Sequence, residues 1–151
     1  MSSKISFANK RDSHNTVLSF ARKRVITCSI DEHLRDVVKK MVDHWISSVV
    51  VVDAGKPVGI ITDGIIFRLI AKGRNPLKLH AKDVMARPVH TIGVNTSLSE
   101  AKKEFLKTKV SRLVIVDDEG NLVGIVNNKD VDRLAAYSLA ERMVQHRMNT
   151  C

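Results

Sequence analysis

Aromatic side chains are scarce: Phe, Tyr and Trp make up 4% of the 151 residues. A core must then come from Val, Ile, Leu and Met, and few rings are left to stack on bases. Cysteine is scarcer still. Cys28 and Cys151 form no CxxC and no paired framework, which argues against a disulfide scaffold. Long apolar runs are missing too. A run such as Val49 to Val52 is far short of the about 20 residues that cross a bilayer. The stretch after Met1 is polar and lacks the apolar core of a signal peptide. These absences set the expectation of a cytoplasmic protein with no membrane partner.

Catalytic apparatus is also lacking. There is no nucleophile motif, no Walker-type glycine loop and no conspicuous carboxylate pair. His14, His33, His44, His80, His90 and His146 are scattered, with no HxxxH or HExxH spacing to hold a metal. The expectation is a non-enzyme without catalytic cofactor or metal.

What is present is charge and repetition. Charged residues reach 27% and hydrophobic ones 44%, with a net charge of +9. The first excludes a low-complexity disordered chain. The last favours polyanionic partners without choosing among them. Val25-Ile26-Thr27 matches Val89-His90-Thr91, and the run from Ser47 to Asp53 matches that from Ser111 to Asp117, at one offset of 64 (91 − 27 and 117 − 53). After one extra turn residue, Val58-Gly59-Ile60-Ile61 matches Val123-Gly124-Ile125-Val126 at 65 (124 − 59). The chain is a duplicated half.

Each half reads as strand, helix, strand, strand, helix. Asp31 and Asn95 stand where N-caps are expected. Leu34, Val37, Val38, Met41, Val42 and Trp45 form one helical stripe, echoed by Leu98, Ala101, Phe105 and Leu106. Val49–Val52 and Leu113–Val116 are continuous apolar strands, as in a sheet covered on both faces. Val58–Ile61 and Leu122–Val126 return beside them. Ile65, Ile66, Leu69 and Ile70 make the apolar face of a closing helix that stops at Gly73. Val131, Leu134, Ala135 and Leu139 do the same in the second half. The resulting division is a basic arm over 1–16, unit one over 17–73, a linker over 74–80, unit two over 81–137, and a helical extension or tail over 138–151.

That order, doubled, resembles the cystathionine-β-synthase-type (CBS) domain pair, or Bateman module. Ala81 to Thr91 is similar to the family's D-h-M-x-x-P-V-x-T opening, where h is apolar. Ser111 to Asp117 is similar to its first hairpin strand, and Gly124-Ile125-Val126 with Asn127 and Asp130 to its G-h-h-[ST]-x-x-D segment. The resemblance implies an α/β (α+β) fold of two tandem β-α-β-β-α units packed with pseudo-two-fold symmetry. In the first opening segment Ser19, Ala21 and Arg24 replace the pattern's Asp, Met and Pro.

The resemblance also implies clefts between the units that bind adenosine compounds such as AMP, ADP, ATP, S-adenosylmethionine or NAD. A carboxylate suits the vicinal hydroxyls of a ribose, and a helix start suits a phosphate. On the family pattern one cleft is formed by Asp130, Asn127, Ile125 and Val126, completed by Ile46, Ser47 and Ser48 with Thr27 nearby. The other, weaker cleft takes Thr62, Ser111, Arg112 and Thr91. It has Ile65 where the ribose-binding Asp belongs, and Asp63 brings to its helix start a charge that disfavours phosphate. Arg112 is a candidate phosphate contact.

The expected function is a regulatory module: an adenosyl ligand shifts the arrangement of the units and an unknown partner protein reads the change. A homodimer through the helical faces is expected. Two alternatives stay open. One is a nucleic-acid-associated protein using Lys4, Lys10, Arg11, Arg22, Lys23 and Arg24. The other is an assembly scaffold with vestigial clefts.

Overall fold

Thr27 pairs with Val50 and Thr91 with Val114, so the offset of 64 in the sequence (91 − 27 and 114 − 50) is also the offset between two sheets. The computed structural model describes residues 16–150. The basic arm, apart from Thr16, lies outside the described residues.

Unit one runs β1 (Thr27–Ser29), α1 (Leu34–Asp43), β2 (Ser48–Asp53), β3 (Lys56–Thr62) and α2 (Asp63–Ala71). A one-turn helix, α3 (Ala81–Val84), follows. Unit two repeats the plan with β4 (Thr91–Gly93), α4 (Leu98–Thr108), β5 (Arg112–Val116), β6 (Leu122–Asn127) and α5 (Asn128–Asn149). In each sheet the edge strand is parallel to the central one, and the hairpin that follows is antiparallel. The helices cover the sheets. β2 and β5 are buried on both faces, which explains their unbroken Val, Leu and Ile runs.

The helix ends follow local chemistry. Ser97 and Glu100 form a reciprocal capping box at α4. Asn95 is therefore two positions too early to cap it. Asp31 likewise does not cap α1, whose N-cap is His33; its carboxylate instead pairs with Lys82 at 2.7 Å. Gly73, at φ 72°, ends α2 in a Schellman turn: its N–H and that of Arg74 donate to Ile70 and Leu69. Trp45 makes the same turn at the end of α1 with φ 53°. The expected stripe overran the helix, which stops at Asp43, and Trp45, expected in the core or a dimer interface, is 94% exposed. Leu106, Ile70 and Leu139 of the expected apolar faces are also exposed.

Neither unit closes its own core. Val17, fully buried, packs with Ala101, Phe105, Leu113, Ile115, Val126 and Val131 in unit two. Arg22 exchanges two backbone hydrogen bonds with Ile125, each 3.0 Å. Reciprocally, Ala81 sits in the core of unit one, and Ala86 exchanges backbone hydrogen bonds with Ile60. The segment preceding each unit thus crosses to the other unit. The matched glycines explain how it passes. A Cβ on Gly59 would meet Met85 Sδ at 2.7 Å, and one on Gly124 would meet Ala21 Cβ at 3.3 Å. Ala21 therefore does the work of Met85 despite its departure from the pattern.

Side-chain hydrogen bonds also cross between the units. Lys56 donates to the Glu119 carbonyl and to Asn121 Oδ1 (2.9 Å). Arg112 Nη2 donates to Ser47 Oγ at 2.6 Å.

Candidate functional site

Two clefts lie between the units, and the duplication relates them. In the first, the turn after α1 supplies Ile46 and Ser47, and the start of β2 supplies Ser48. The end of β6 supplies Ile125, Val126 and Asn127, and the first turn of α5 supplies Asp130. Arg22, Trp45 and Arg112 complete the wall of a cleft of about 130 Å³. Asn127 caps α5 by accepting from the Lys129 N–H at 2.9 Å. The Asp130 carboxylate lies at the same helix start, where the macrodipole favours a negative group. Among the described residues no hydrogen bond or ion pair occupies that carboxylate.

The second cleft encloses about 330 Å³. Ile60, Thr62 and Ile65 come from the β3–α2 junction, and Val110, Ser111 and Arg112 from the start of β5. Arg68 of α2 and the crossing segment Ala86 to His90 close it. Thr62 caps α2 through the Ile65 N–H at 3.3 Å.

Thr27 and Thr91 are the expected site residues that line neither cleft. Each pairs on an edge strand two positions beyond the strand start that reaches the cleft: Thr27 with Val50 rather than Ser48, Thr91 with Val114 rather than Arg112. The Thr27 carbonyl instead accepts from Lys40 Nζ at 3.0 Å. Asp63 sits apart from both clefts. Its Oδ1 accepts from the Gly64 N–H at 2.8 Å, and the residue lines a depression between α1 and α2, not the second cleft.

The sequence reading missed Arg22 and Trp45 in the first cleft, and Arg68 and Arg87 in the second. A signal for Arg22 existed. It stands 64 positions before Ala86 (86 − 22), and both border a cleft from a crossing segment. Among the described residues no cluster of His, Cys, Asp or Glu could hold a metal. His33 and His80 stack on each other with ring centres 4.4 Å apart, and His80 Nδ1 also lies 3.7 Å from Asp83 Oδ2. Burial, then the Glu32 carboxylate, pushes the Cys28 thiol up to about 11, away from reactivity. No helix among the described residues is long and apolar enough to cross a membrane.

Two mixed sheets that exchange their preceding segments and enclose a pair of matched clefts define a tandem α+β architecture of two duplicated units. The chain belongs to the CBS-domain family: the family profile "CBS domain" matches residues 17–72 and 81–137. An uncharacterized protein of Methanopyrus kandleri is 38% identical over 122 residues, 80% of this chain and 62% of that protein. This chain thus spans less than two thirds of that relative's length. Among solved structures, the CBS domain pair of the protein MJ0100, in complex with 5'-methylthioadenosine and S-adenosyl-L-methionine, is 28% identical with a TM-score of 0.71. The match covers 82% of this chain and 97% of that one. The protein CBSX2 in complex with AMP is 25% identical with a TM-score of 0.66, covering 82% and 97% respectively.

Proposed function

We propose that this chain is a non-catalytic regulatory module that binds an adenosine-containing ligand in the Asp130 cleft and signals its presence to a partner protein. The observation that carries the reading is the free carboxylate of Asp130 at a helix start, facing a cleft with Ser47, Ser48 and two arginines. Asp130 accepts the ribose hydroxyls. Ile125 and Val126 cover the base, and Arg22 and Arg112 meet a phosphate. Two CBS pairs solved with AMP, or with methylthioadenosine and S-adenosylmethionine, support the same ligand class. The second cleft has Ile65 in place of the carboxylate and is the weaker adenosine site. Ligand in the first cleft takes Arg112 from Ser47 and so shifts the units against each other, to the extent that it prefers one arrangement. Exposed Val42, Phe67 and Leu106 on the helices support assembly as a homodimer in the cytoplasm.

Trp45 is the single tryptophan of the chain and borders the cleft, so its fluorescence reports occupancy. Titration with AMP, ATP and S-adenosylmethionine is expected to change it saturably and to raise the melting temperature. Asp130→Ala should weaken binding at least about tenfold while leaving unliganded stability within about 0.5 kcal/mol. Unchanged affinity in that variant sinks the reading.

A further inference from the structure

The second cleft departs from the first in charge as well as in the missing carboxylate. Three arginines line it: Arg68 from α2, Arg87 from the crossing segment and Arg112 from β5, the last shared with the first cleft. No Asp or Glu lines it. Asp63, the acid nearest in sequence, belongs to the depression on the other side of α2. Among the described residues Arg68 and Arg87 have no ion-pair partner, and the guanidinium of Arg112 donates only to the neutral Ser47 hydroxyl. Three unneutralised cations around one concave space repel each other, and an anion relieves that repulsion. Guanidinium forks match phosphate oxygens in pairs. Ile65 and Val110 offer nothing to a ribose diol.

We infer that the second cleft is an oligophosphate site. It takes a ligand bearing two or more phosphate groups, gripped through Arg68, Arg87 and Arg112, and makes no use of vicinal sugar hydroxyls. This inference does not depend on the adenosine reading of the first cleft.

Inorganic tripolyphosphate, which has no sugar and no base, is the probe. Calorimetric titration of the full chain at about 50 mM salt should show one equivalent bound, with affinity falling steeply by about 300 mM. The double variant Arg68→Gln/Arg87→Gln should weaken it at least about tenfold. Two controls guard against general attraction to a basic protein. Lys103→Gln/Lys107→Gln removes as much charge from the exposed face of α4 and should leave affinity within about twofold. Asp130→Ala should not weaken tripolyphosphate, whereas it weakens adenosine, so the two readings fail separately. Absence of binding overturns the inference. So does an equal loss in the lysine variant, or an arginine variant that binds like wild type.

Discussion

The two clefts are built largely from matched positions and have diverged at several of them. Ile46 and Val110, Ser47 and Ser111, and Asn127 and Thr62 are like for like, or nearly so. Ser48, Asp130 and Arg22 of the first cleft face Arg112, Ile65 and Ala86 as their counterparts in the second. The conserved pairs are those the backbone needs. Asn127 and Thr62 cap helices, and the Asn128 and Asp63 N–H groups donate to the Ser111 and Ser47 carbonyls at 2.9 and 3.0 Å. The divergent pairs line the cleft walls. Duplication thus holds the frame while leaving the ligand chemistry of each cleft free to change.

The largest effects test the shared frame. The Cβ of Gly59→Ala would stand 2.7 Å from Met85 Sδ and 3.1 Å from the Ala86 carbonyl, whereas that of Gly124→Ala would stand 3.3 Å from its neighbours. Chemical denaturation should find Gly59→Ala destabilised by about 2–3 kcal/mol and Gly124→Ala by about 1 kcal/mol. Equal costs would break the idea that crossing is tighter over unit one. The cores differ as well. Cys28 sits in unit one where unit two has Ile92 (92 − 28 = 64). Its thiol is raised from 9.0 to about 11 by burial and then by Glu32, so the folded state favours the neutral form. That contribution is complete below pH 9.0 and fades as pH rises toward about 11. Denaturation against pH should show the slope in the wild type and not in Cys28→Val.

Those features were legible to different depths. The repeat offset and the apolar strand runs carried the architecture, because a doubly covered strand admits only aliphatic residues. The residues flanking β2 and β6 were placed at the clefts by the resemblance to the CBS pair. Arg22 and Arg87 were not, although Arg22 stands at the repeat offset from Ala86, because they arrive from segments that pack on the other unit, and no local pattern announces an exchange. Trp45 was placed by a spacing that continues the helical stripe, but the helix ends at Asp43 and Trp45 itself takes the left-handed region, which its residue type seldom does.

A smaller change should convert one cleft toward the other. Ile65→Asp installs in the second cleft the carboxylate that Asp130 gives the first. Ile65 packs partly against the core, so the variant should lose about 1–2 kcal/mol of stability. In exchange, adenosine stoichiometry by calorimetry should rise from one toward two. A stoichiometry that stays at one would mean that more than the missing acid separates the clefts.

The smallest effect lies where the two units share a strain. Trp45 at φ 53° and Lys109 at φ 57° occupy matched helix ends (109 − 45 = 64) in a region that favours glycine. Glycine at either position should stabilise the fold by about 1 kcal/mol, the relief of a left-handed side-chain conformation less the entropy glycine adds to the unfolded chain. Their consequences for ligand should differ. Lys109 lines neither cleft, so Lys109→Gly should raise the melting temperature and leave adenosine affinity unchanged. Trp45 borders the first cleft with its ring almost wholly exposed, so Trp45→Gly should gain stability and lose affinity together. Strain tolerated at a residue whose side chain makes little packing contact is then explained by what that side chain does for the cleft. Equal ligand affinity in both variants would remove that explanation and leave the indole as surface alone.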